Sequence, residues 1–118
     1  MEIKKNIRVG DRIRFVDFVC DMCEKDGKQY YALFDYAWRI AVITFFAPEA
    51  ELDKMDTDEM CDFVYSRQGI EIVEDPDIAV VTAGLYEACE AEMKDRKEKY
   101  MKVFDAINHP DPLDRIAD

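Results

Sequence analysis

Glycine and proline are scarce, with four of each in 118 residues. An all-β chain needs a turn roughly every 8–12 residues, so the long uninterrupted stretches favour helix. Histidine is scarcer still. His109 stands alone, between the end of a helical pattern and Pro110, a place suited to solvent exposure and not to a shaped pocket. General acid–base catalysis therefore lacks its usual neutral-pH residue in a plausible setting. No glycine-rich phosphate loop follows a strand, and no nucleophile-elbow motif appears. The chain is expected not to be an enzyme and to need no cofactor or metal. No apolar run follows Lys4 and Lys5 to serve as a signal peptide. The longest apolar stretch, Ile40 to Pro48, falls far short of the roughly 20 residues of a membrane span. A cytoplasmic protein, or one built into something assembled in the cytoplasm, is expected, with no membrane partner.

Enough is present to fold. Aromatic residues make up 12% of the chain, too many for a disordered acidic tail, and the length suits one domain with a modest core. Cys20, Cys23, Cys61 and Cys89, without an export signal, read as free thiols. The net charge is −11, and it is sorted along the chain. Residues 1–14 hold five bases against two acids, whereas residues 47–77 hold eleven acids against two bases. Such a field repels phosphates and attracts basic surfaces, which excludes direct nucleic-acid binding as the expected function.

The spacing predicts a mainly all-α fold: a small bundle of four to five helices with a long C-terminal helix and an extended C-terminal tail. One domain over 1–108 is followed by the tail over 109–118. From about Val9 to Glu24, Ile13, Val16, Cys20 and Cys23 recur at three and four residues, widened by Phe15, Val19 and Met22. Asp26-Gly27 stops this helix. Tyr30 to Phe46 is apolar on nearly every side, which marks an interior helix around Trp38, and Pro48 marks its exit. Asp56-Thr57-Asp58-Glu59 has the form of a capping box, with Asp56 as cap and Glu59 three residues on. Gly69 is expected to end that short helix, leaving residues 70–74 as either a further helical turn or a brief extended segment. Asp75 and Pro76 open the last helix, whose stripe from Ile78 to Ile107 is apolar in its first half and charged in its second. At this length it must either bend, at Gly84 or at the charged middle, or overrun the body and meet a partner.

Cys20-Asp21-Met22-Cys23 has the spacing of a redox pair or half a zinc site. Its position late in a helix, on the apolar stripe, favours core thiols. The acidic segment from Glu49 to Asp62 lacks the alternating ligands and central glycine of a calcium loop. It reads as a solvated acidic surface or, functionally, as a docking face for a basic partner or a mimic of nucleic-acid charge. The candidate partner-binding residues are Asp53, Asp56, Asp58 and Glu59 on this surface, Arg96 and Tyr100 on the charged half of the last helix, and Leu113 and Ile116 on the tail.

The run Tyr31-Ala32-Leu33-Phe34-Asp35-Tyr36-Ala37-Trp38-Arg39, followed by Phe45-Phe46, Phe63-Val64-Tyr65 and Pro112-Leu113-Asp114, resembles small helical proteins of tailed phages and prophages in Gram-positive bacteria that accompany virion structural genes. These are core-type residues without a catalytic signature. The resemblance implies a non-enzymatic structural or assembly protein, in the host cytoplasm or in the virion, whose partners are virion subunits or further copies of itself. The alternative from a different class is an acidic inhibitor that blocks a nucleic-acid-binding or host-defence protein.

Overall fold

The computed structural model describes residues 2–108. It is mainly all-α, built from five α-helices: α1 (Val9–Cys23), α2 (Phe34–Phe46), α3 (Thr57–Val64), α4 (Arg67–Val73) and α5 (Pro76–Asn108). A two-stranded hairpin, β1 (Glu24–Lys25) and β2 (Lys28–Gln29), joins α1 to α2. Its turn residues Asp26 and Gly27 both have positive φ, 54° and 80°, as tight hairpin turns of the Asp-Gly type require. The helix stop read from the sequence thus also reverses the chain into a paired hairpin.

Side-chain caps open α3, α4 and α5. Asp56 accepts the Glu59 backbone N–H at 2.8 Å, and the Glu59 side chain accepts the Asp56 backbone N–H at 3.3 Å, closing the capping box that opens α3. Asp75 Oδ1 accepts from the backbone N–H groups of Asp77 and Ile78 at the head of α5. These bonds to the charged form hold its carboxyl below the usual carboxylate range.

The interior helix is α2, with Ala37, Ile40, Ala41, Val42, Ile43 and Phe46 buried and α1, α3 and α4 packed around it. Trp38 itself lies at the border of this core. Only half-buried, it sits edge-on to Phe15 and Tyr86, with ring centroids 5.2 Å away in each case. The sequence reading of α1 needs correction at one residue. Phe15, Val19, Cys20 and Cys23 are buried, but Ile13 is 63% exposed. The helix has more apolar residues than one face can hold, and packing selects the side carrying Phe15, the larger ring.

Gly69 does not end α3. That helix stops at Val64, and Gly69 lies inside α4, which Ser66 caps by accepting the Gly69 N–H. Glycine is needed there for contact: a Cβ would lie 2.2 Å from the Phe63 carbonyl oxygen. Residues 70–74, left open by the sequence, continue α4 as far as Val73.

The last helix does not break at Gly84. Its 33 residues form a rod roughly 50 Å long at ~1.5 Å per residue. Among its described side chains Met93 is the last fully buried one, while Met101, Lys102 and Val103 are exposed. The helix is continuous through Gly84 and carries Tyr100 onto the hairpin before Met101, Lys102 and Val103 face solvent. The tail over 109–118 lies outside the described residues. No helix among the described residues is long and apolar enough to cross a membrane.

Candidate docking site

The residues with the strongest chemistry are engaged in holding the fold. Cys20, Cys23 and Cys89 are fully buried as free thiols, and Cys20 Sγ lies 3.6 Å from the Cys89 carbonyl oxygen as a weak donor. Burial pushes Cys20 and Cys89 up to about 12 and raises Cys23 as well. At neutral pH these groups remain protonated, which makes them poor nucleophiles and poor ligands. Among the described residues, no group of three or more His, Cys, Asp or Glu side chains is placed to hold a metal.

Asp35, Arg39 and Tyr65 form a second polar cluster. Arg39 Nε and the Tyr65 hydroxyl both donate to Asp35 Oδ2 at 3.0 Å, and the guanidinium sits 5.1 Å from the centre of the Tyr65 ring. Burial, then the bond to Asp35, raises the Tyr65 phenol, so its proton stays on. The cluster ties the residue that ends α3 to the first turns of α2.

Arg96 has a structural task of the same kind. Its Nη1 donates to Asp21 at 2.7 Å, its Nη2 to Asp17 at 3.4 Å and its Nε to Glu92 at 3.0 Å. Burial works against this charge, but the bonds to Asp21 and Glu92 outweigh it and raise the pKa. Arg96 thereby clasps α5 to α1. Tyr100 packs over the hairpin, where a Cβ on Gly27 would come within 3.0 Å of its ring. Leu113 and Ile116 lie outside the described residues.

The acidic residues lead to a concave site. Leaving α2 at Ala47, the chain makes two short 3-10 turns, Pro48–Ala50 and Leu52–Lys54, with Glu51 between them in the left-handed region at φ 53°. This path wraps a cavity of about 390 Å³ lined by Phe18, Met22, Ile40, Met55 and Met60, with Glu51 and Asp53 among its polar residues. Leu52 is buried beneath the connector and anchors it. The three methionines, each partly buried, give an apolar lining that can reshape around an incoming side chain.

The four acids singled out from the sequence divide by role here. Asp53 lines the cavity and Asp58 stands exposed on the first turn of α3; neither has a hydrogen bond or ion pair among the described residues. Asp56 and Glu59 are occupied by the capping box, although both remain exposed and add negative charge beside the cavity. Arg96 and Tyr100 are not part of its lining. Sequence reasoning missed Phe18, Met22, Met55 and Met60 as site residues. The available signal was the run of acids flanked by methionines, Met55 and Met60 bracketing Asp56 to Glu59, but the contribution of α1 exists only in the folded chain.

No protein-family model matches this chain, nor does any curated protein or solved structure.

Proposed function

We propose that this protein is a non-enzymatic docking protein of the phage structural or assembly type, which receives an apolar side chain from a basic segment of a virion protein in the cavity between Met22, Met55 and Met60. The observation that carries the docking reading is the combination at one place of an adaptable apolar cavity with carboxylates at Asp53 and Asp58 that have no partner within the described chain. Apolar contact supplies affinity, while the surrounding charge selects basic partners and speeds their approach. The exposed Met101 and Val103 near the end of α5 support an assembly role, because apolar side chains facing solvent offer surface to a neighbour. The virion part of the reading is supported by the resemblance of the aromatic segment to small phage proteins.

The test uses two synthetic amphipathic helices, one of leucine and lysine and one of leucine and glutamate, with binding read by fluorescence anisotropy of a labelled peptide. The lysine peptide is expected to bind, and salt is expected to weaken it. Met60→Lys and the pair Asp53→Lys with Asp58→Lys should each reduce its affinity about tenfold, or about 1.4 kcal/mol. Reversing Glu71 and Glu87, which alters net charge equally away from the cavity, should matter far less. Equal losses from both sets of reversals would reduce the interaction to bulk charge and remove the site. For the virion part, the chain should cosediment with purified particles and its gene should lie among portal, capsid and tail genes. Absence from both would leave a docking protein of another system.

The unengaged Asp53 and Asp58 also favour the second reading, an acidic inhibitor of a nucleic-acid-binding protein. In that case DNA and this protein should compete for the same partner.

A further inference from the structure

The first turns of α1 carry a ridge with no use inside the chain. Val9 is 77% exposed and Ile13, four residues on, is 63% exposed, so the two aliphatic side chains stand one above the other facing solvent. Arg8 and Arg12 each precede one of them by a single residue, and both are exposed. Neither guanidinium has an ion pair or a side-chain hydrogen bond among the described residues. Asp11, the acid between them in sequence, is taken up by Arg14 at 3.1 Å. The ridge is therefore apolar at its crest and positively charged along its side.

Helix geometry sets this ridge against the methionine cavity. Phe18 and Met22, the residues of α1 that line the cavity, follow Val9 and Ile13 by nine residues each. Nine residues make about two and a half turns at ~3.6 residues per turn, so the ridge and the cavity lining point to opposite sides of one helix. Packed against α2 and α5, α1 cannot bring its ridge to the cavity of its own chain. The two surfaces nevertheless match. One presents two aliphatic side chains beside two unpaired guanidiniums. The other is an adaptable cavity of about 390 Å³ beside Asp53 and Asp58, which have no partner among the described residues. Joining these four charges breaks no ion pair that the fold already uses.

We infer that the ridge of Arg8, Val9, Arg12 and Ile13 plugs the methionine cavity of a second copy, so that copies of the chain join head to tail. This rests on the docking function proposed above and names the basic segment that the cavity receives. Val9 and Ile13 enter between Met22, Met55 and Met60, while Arg8 and Arg12 meet the carboxylates at the rim, a pairing that guanidinium makes with two parallel bonds. The wider charge order favours the same contact, since residues 1–14 are basic on balance and residues 47–77 strongly acidic, and unlike ends steer one another together. Plug and socket lie on opposite sides of α1, so one neighbour cannot both fill the socket and receive the plug. Each copy touches two others, and the assembly grows as a ring or filament instead of closing as a two-fold dimer.

The test is sedimentation velocity of the full chain across the micromolar range. The native protein is expected to form species larger than a dimer, which salt and the leucine–lysine peptide should each dissolve. A plug variant, Val9→Gln with Ile13→Gln, and a socket variant, Met60→Lys, should each weaken association at least about tenfold, a change of about 1.4 kcal/mol, with native circular dichroism. Asp53→Lys with Asp58→Lys is a second socket variant, confined to exposed positions. Mixing plug and socket variants should give a one-to-one complex that grows no further, because each retains the half that the other lacks. Val80→Asp, at a position 78% exposed on α5, should change nothing. A native chain that stays monomeric overturns the inference; if it still binds the lysine peptide, the docking cavity stands and only its occupant is wrong. Association that survives both kinds of variant, or variants that fail to complement, overturns it equally. Failure of the peptide to bind would remove the docking function and this inference with it.

Discussion

Substituting alanine for glycine at two helical positions should have opposite effects on stability. In a helix interior the exchange is favourable by up to about 1 kcal/mol, since alanine loses less backbone freedom on folding. At Gly84 nothing opposes that gain, because the new methyl group meets no atom within 4 Å. Gly84→Ala should gain close to the full amount and raise Tm by roughly 4 °C. At Gly69 the methyl carbon would stand 2.2 Å from the Phe63 carbonyl oxygen and 2.9 Å from two backbone atoms of Val64. That is roughly 1 Å inside the ~3.3 Å at which carbon and carbonyl oxygen meet. All three obstacles are backbone, so no rotamer change relieves them. Instead α4 must move away from α3, loosening Val64 and Ile72, both of which are buried. Overpacking of this kind costs about 1–3 kcal/mol, and rigid neighbours put the cost at the upper end. After the helix gain is subtracted, Gly69→Ala should lose about 2 kcal/mol. Urea unfolding followed by circular dichroism measures both, read from the midpoint at unchanged m. Equal or higher stability for Gly69→Ala would refute the close approach of α4 to α3, and a loss at Gly84 would show that its surroundings are not open.

Further outcomes follow from buried and clasping groups. Of the four thiols, only exposed Cys61 should react rapidly with a disulfide reagent at neutral pH, the others reacting at the rate of unfolding; rapid reaction of Cys20 or Cys89 would contradict their burial. The same two thiols should destabilise the protein in alkali. Unfolded, they ionise near 9.0, and folded, near 12. Between those values the folded state binds more protons, so stability that is complete below pH 9 declines as pH rises towards 12. Cys89→Ala should flatten that slope, and an unchanged slope would assign it to other groups. Arg96→Met should lower stability by about 1–2 kcal/mol, a figure already discounted for the exposure of Asp17, Asp21 and Glu92. The loss should shrink in high salt, which screens the carboxylates left facing one another; a salt-independent loss would point to packing of the side-chain stem instead.

How much of this could be read from the chain depends on the range of the interaction responsible. The caps at Asp56 and Asp75 act over three residues, and the interior character of α2 is written in its own composition, so both were legible. Gly69 was misread because glycine ends helices in one setting and admits a neighbouring backbone in another, and only the position of Phe63 distinguishes them. Ile13 was assigned to the core for a related reason. Periodicity locates an apolar stripe, but it cannot say which edge of a wide stripe the core will cover and which it will leave open. The methionine cavity needed residues from α1 brought against the connector after α2, a coincidence of the fold with no local trace. The acids were visible from the outset, yet the division among them was not: Asp56 and Glu59 bind their own helix, whereas Asp53 and Asp58 have no partner among the described residues. That division makes the acidic segment testable as a site. If charge alone governed binding, all four would contribute alike, but a docking role rests on the two that the fold leaves unused, beside the apolar cavity that the fold creates.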